Sequence, residues 1–65
     1  MSKKNEIKSA IGFGAKLRVA DIPRDEFLAD TGMKERTAYD WGVNPDRVGI
    51  LDSVIHSEYI VRGGK

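Results

Sequence analysis

The sequence predicts an all-α fold, a compact domain of four to five short helices. Three observations carry that expectation. Apolar residues recur at three- and four-residue spacing along much of the chain. Gly32 and Pro23 fall between those stripes, where a turn residue and a helix opener are needed. Asn44-Pro45-Asp46 supplies an N-cap residue, a proline for the first helical position and an acid for the second, directly ahead of Val48, Leu51 and Ile55 on one stripe.

The chain has 65 residues and is 40% hydrophobic, enough for one core. A chain of this size buries only about 60% of its unfolded surface. It has no cysteine and a single histidine, His56, so neither a disulfide framework nor a Cys/His metal cluster is expected, and packing alone must hold it. No cofactor, metal or small-molecule substrate is expected. Met1-Ser2-Lys3-Lys4-Asn5 is not followed by the apolar core of a signal peptide, and no apolar run approaches the roughly 18 residues that cross a bilayer. The expectation is a soluble, cytoplasmic protein with no membrane partner.

In chain order, residues 1–8 are polar and lysine-rich and read as a flexible basic arm, with residues 9–63 as the folded domain and residues 64–65 as a tail or the start of a linker. Ile7, Ala10, Ile11 and Leu17 share a helical stripe, but Gly12 and Gly14 each cost about 1 kcal/mol relative to Ala inside a helix. The first helix therefore runs either from about Lys4 to Val19 with a weak middle or from near Gly12; the second placement is preferred, with Phe13 as its first core residue, Leu17 facing in, and Ala15, Lys16 and Arg18 outside. Asp21-Ile22-Pro23 ends it, because proline disfavours an α conformation in the residue before it. Pro23 or Arg24 opens the second helix, and Asp25 and Glu26 put negative charge at its positive end. That helix stops at Thr31-Gly32. The third runs from about Lys34 to Trp41, with Met33, Ala38 and Trp41 facing inward. The fourth follows Asn44-Pro45-Asp46, and Tyr59-Ile60-Val61 form either a short fifth helix or a strand.

The net charge of +1 is unevenly spread. Residues 1–20 carry Lys3, Lys4, Lys8, Lys16 and Arg18 against Glu6, whereas residues 21–60 carry four cations against nine carboxylates. A non-specific coat for nucleic acid would be basic throughout, so any DNA binding must depend on a few placed cations. The stretch Arg24–Trp41 reads as two helices and a tight turn. In a helix-turn-helix unit the second helix enters the major groove while the first braces it across the backbone.

These residues carry a family likeness. Gly14-Ala15-Lys16-Leu17-Arg18, then Asp25-Glu26-Phe27, then the run Thr31 to Trp41 resembles the phage-repressor and Xre-type helix-turn-helix family, a lambda repressor-like fold shared by many bacteriophage Cro proteins. The tail Tyr59-Ile60-Val61-Arg62-Gly63 is similar to the ending of many phage repressor domains. The likeness covers most of residues 12–63. It departs from the family in a shorter link between Leu17 and Phe27, in Leu28 where alanine is usual, and in Pro23 and Lys34 where polar caps are usual.

The resemblance implies a transcriptional regulator that reads double-stranded operator DNA with its third helix, as a homodimer on two half-sites. It places base contacts at Lys34, Glu35, Arg36, Tyr39 and Asp40. Their chemistry agrees: Arg36 reaches guanine O6 and N7 together, Glu35 accepts from cytosine N4, and Tyr39 meets a thymine methyl or a phosphate. Asp40, repelled by phosphates, is expected to pair with Arg36 one turn earlier. Backbone contacts are expected from Arg24 at the start of the second helix, from Asn44, and from Lys3 and Lys4 in the arm. Helix capping is the competing role for Asn44, and a solvated terminus for the two lysines. A competing function is a protein-interaction module, such as an antirepressor or antitoxin-like partner. The chain is not expected to be an enzyme, since it has no nucleophile with a nearby base, no metal set and no phosphate loop.

Overall fold

The protein, a computed structural model, is described over residues 2–64. Among these residues there are five helices and no strand: α1 (Lys3–Ser9), α2 (Phe13–Ala20), α3 (Arg24–Thr31), α4 (Glu35–Val43) and α5 (Val48–Val61). Several boundaries have a local cause. Ser2 caps α1, its hydroxyl accepting the Asn5 N–H at 3.3 Å. Gly12, at φ 90°, turns the chain into α2. Asp21 ends α2 in the left-handed region at φ 57°, and the Asp21 and Ile22 N–H groups return to the Arg18 and Leu17 carbonyls. That pattern is a Schellman stop, with Leu17 and Ile22 both buried across it. Gly32 ends α3 at φ 72°, as the sequence predicts, and Thr31 fastens the corner by donating to the Phe27 carbonyl and accepting the Met33 N–H.

The core is Phe27, fully buried, with Ile7, Phe13, Leu17, Ala20, Ile22, Ala38, Leu51 and Ile55 around it. The rings of Phe13 and Phe27 lie 5.4 Å apart, tilted by 56°. Burying one such ring contributes about 1.5–3 kcal/mol. α5 touches α1, α2 and α4, and α2 touches α1, α4 and α5, so these two helices hold the domain together. At the crossing of α4 on the start of α2, a Cβ on Gly42 would lie 2.7 Å from the Phe13 nitrogen, so only glycine allows that approach.

Several expectations need correction. Residues 3–9 form α1 instead of a free arm, because Ile7 is fully buried and anchors the segment on α2 and α5. The tail expectation falls partly outside the described residues, since Lys65 is not among them. Ile11 does not join the apolar stripe: it sits in the three-residue link between α1 and α2 and is 88% exposed. Lys16, expected outside, is 1% exposed. It lies on the same face as Phe13, Leu17 and Ala20, and α1 closes over that face. Its ammonium donates to the Ile7 and Lys8 carbonyls at 2.9 and 3.4 Å and stands 2.7 Å from Asp52 Oδ1. The ammonium thereby caps the negative end of α1 and neutralises the Asp52 carboxylate.

Trp41 is half-buried against the core, not enclosed by it, with the Arg47 guanidinium 5.8 Å from its ring centre. Asn44 does cap: its Oδ1 accepts the Asp46 N–H at 2.9 Å. Continuous helix begins only at Val48, after a turn over residues 45–47. Tyr59, Ile60 and Val61 continue α5 and form neither a fifth helix nor a strand. The fifth helix lies at the other end of the chain, as α1.

No helix among the described residues is long and apolar enough to cross a membrane.

Candidate functional site

α3 and α4 are joined by residues 32–34, and the inner face of α4 is spent on burial through Ala38, Gly42 and the half-buried Trp41. What remains outside is Glu35, Arg36, Tyr39, Asp40 and Val43, one continuous outward face that Lys34 precedes as the N-cap residue. Arg36 and Asp40 form no ion pair with each other or with any other described residue, so the expected pairing between them is absent. Among the described residues Arg36 is thus without an ion-pair partner on the first turn of α4.

Tyr39 has a divided role. Its ring stands edge-on to Phe13, with centroids 5.1 Å apart and planes at 82°, which fixes it against the core. Its hydroxyl points the other way and accepts from Arg24 Nη1 at 3.4 Å. Arg24 opens α3, where no side chain caps the first N–H groups. Its Nε lies 3.9 Å from Glu35 Oε2 and 3.9 Å from Asp25 Oδ1. The guanidinium is held charged more firmly than usual, first by the hydrogen bond to Tyr39 and then by the Glu35 carboxylate.

Arg24, Glu35 and Tyr39 are therefore brought together, with Lys34 and Arg36 next to them on α4. The others stand apart. Asn44 lies beyond the end of α4 and spends its side chain on the turn. Lys3 and Lys4 ride on α1, which packs against α2 and α5. Lys3 is not available as an expected arm contact: its ammonium donates to the Val19 carbonyl at 3.1 Å, stands 3.9 Å from Glu6 and lies 5.6 Å from the Tyr59 ring centre. Lys4 is exposed and makes no ion pair among the described residues.

One residue escaped the sequence reading. Arg18, in the last turn of α2, lines a shallow cleft of about 540 Å³ together with Arg24, Pro23, Glu26 and Tyr39. The Schellman stop at Asp21 turns the chain so that Arg18 and Arg24 share one cleft, and spacing alone does not reveal that turn. Next to this cleft, Arg62 at the end of α5 joins α3 by contacts to Glu26 at 2.8 Å and Asp30 at 3.5 Å. Beside it, hydrogen bonding with Asp30 holds the Glu58 carboxyl above its ordinary range, with partial burial and the Asp30 charge adding to the effect and Arg62 opposing it.

Among the described residues no group of three or more His, Cys, Asp or Glu side chains is placed to hold a metal ion. The outward face of α4 presents a guanidinium, a phenol and carboxylates on a helix backed by packed core. Such a face can form directional hydrogen bonds to base edges or to a protein surface. A scan against protein-family models, a search of curated proteins and a search of solved structures each found no match.

Proposed function

We propose that this chain is a sequence-specific DNA-binding regulator of the phage-repressor and Xre helix-turn-helix type, acting in the cytoplasm and reading operator DNA with α4 while α3 braces against the backbone. One observation carries the reading. An eight-residue helix, a three-residue turn opened by left-handed Gly32 and a nine-residue helix follow one another, and the second helix buries Ala38 and Gly42 while Arg36, on its first turn, makes no ion pair among the described residues. The first turn is the part of a recognition helix that meets base edges. Arg36 there suits the O6 and N7 acceptors of guanine. Arg24, with Arg18 in the same cleft, suits phosphates on one flank. Two copies pairing on two half-sites about one helical turn apart is the arrangement that suits such a unit.

A second reading, a protein-interaction module of antirepressor or antitoxin type, is favoured by the exposure of Ile11 and Val61, at 88% and 81%. Selection from a library of random duplexes separates the two. The DNA reading expects recovered duplexes enriched in one short half-site, repeated at about 10 base pairs centre to centre. Recovery without sequence enrichment, or no recovery, supports the protein-interaction reading.

A further inference from the structure

Arg24, the cation that opens α3, has two of the chain's own carboxylates at ion-pair distance, Glu35 and Asp25, each 3.9 Å from its Nε. Glu35 opens α4 as Arg24 opens α3, so the pair spans the two helices of the unit. Arg24 and Glu35 are about half exposed, at 50% and 54%, so the contact opens and closes in solvent without unpacking the core. Asp25 stands equally near, but it is 93% exposed and adjacent in sequence, and it sits on the same helix as Arg24. Tyr39 holds the guanidinium from the core side through Nη1, which leaves the Nε side facing Glu35. Arg18 and Glu26 also line the cleft and Arg62 pairs with Glu26 at 2.8 Å, so the charges around Arg24 comprise two further cations and three carboxylates.

We infer that Glu35 is a specificity-determining competitor: it occupies Arg24 in the free protein, and a DNA phosphate must displace it before Arg24 can bind. The inference rests on the DNA-binding reading and extends it. On random DNA the displacement weakens every complex, because the released carboxylate lies near phosphates and gains nothing. On the operator the released Glu35, on the same turn as Arg36, can accept from a cytosine N4 amine, and the loss is recovered. The pair itself lowers affinity for every duplex alike, and the discrimination comes from the cytosine contact that the released Glu35 makes on the operator alone.

The test measures Glu35→Gln, Asp40→Asn, Arg24→Ala and Arg24→Ala/Glu35→Gln against a random duplex and a duplex recovered by selection, at two salt concentrations. Asp40→Asn removes the same charge from the same helix face but breaks no ion pair. Glu35→Gln should tighten random-duplex binding about two- to fivefold, the scale of an exposed ion pair, and beyond any gain from Asp40→Asn. The operator-to-random ratio should fall, and the excess gain should vanish when Arg24 is alanine. Equal gains from Glu35→Gln and Asp40→Asn, or a gain that survives Arg24→Ala, overturn the competitor role while leaving DNA binding intact. A wild-type protein that binds neither duplex overturns the DNA reading itself, and this inference with it.

Discussion

Lys16→Met removes the ammonium from the Lys16–Asp52 pair while keeping the length of the buried stem. Asp52, with a side chain only 15% exposed, is then left without its partner, and the Ile7 and Lys8 carbonyls lose their donor. Removing one member of a buried pair costs about 3–5 kcal/mol, and the partial exposure of Asp52 places this site near the lower end, at about 3 kcal/mol. A domain of this length has about 3–10 kcal/mol of stability in all. With an unfolding entropy of about 0.14 kcal/mol per kelvin for such a chain, the expected fall in Tm is about 20 °C. The double variant Lys16→Met/Asp52→Leu should recover most of it, because two apolar groups then pack where two charges stood, and only the α1 cap, about 1 kcal/mol, stays lost. Thermal and urea melts of the parent, both single variants and the double variant complete the cycle. A Lys16→Met loss below about 1 kcal/mol would show that the pair is hydrated. A double variant no better than the single would show that the uncompensated charge is not the cause.

Further outcomes follow from the same packing. Gly42→Ala and Gly49→Ala should move stability in opposite directions by urea melt: the first by a loss of about 1–3 kcal/mol, as its Cβ meets the Phe13 backbone, and the second by a gain of up to about 1 kcal/mol, as its Cβ meets open space. Asp21→Asn keeps a side chain that tolerates the left-handed region and removes a negative charge from the negative end of α2, so Tm should rise, by about 0.3–1 kcal/mol in stability. Glu58 is raised in the folded state, so its contribution is fully present below its unfolded value near 4.5 and is lost as pH climbs through the folded value. Glu58→Gln should therefore raise Tm at pH 7 by a few degrees at most, with the gain disappearing at acidic pH, which a pH series of melts checks.

Much of the fold was legible because the stops are local chemistry. Gly32 in the left-handed region, Pro23 ahead of α3 and the Gly12 entry to Phe13 each need only their own few residues to be understood. The missed features are tertiary. α1 has seven residues and one anchor, Ile7, and that anchor has meaning only once α2 and α5 offer it a site. Lys16 belongs to the apolar stripe by spacing, but a lysine there reads as solvent-facing until the end of α1 and Asp52 surround its ammonium. The outward face of α4 was legible as the remainder after Ala38 was assigned inward. The pairing of Arg24 with Glu35 and the arrival of Arg18 in the same cleft were not, since both depend on how the chain turns at Asp21 and Gly32.

The reading of α4 as a recognition helix is tested most directly by comparing two arginines on operator and random duplexes at one salt concentration. Arg36→Ala should weaken operator binding by about 1–3 kcal/mol, with a smaller effect on random DNA and relaxed preference at one base pair. Arg24→Ala should weaken both duplexes by similar factors, as loss of a phosphate contact does. If Arg36→Ala leaves the ratio of operator to random affinity unchanged, α4 does not read bases and the central proposal fails.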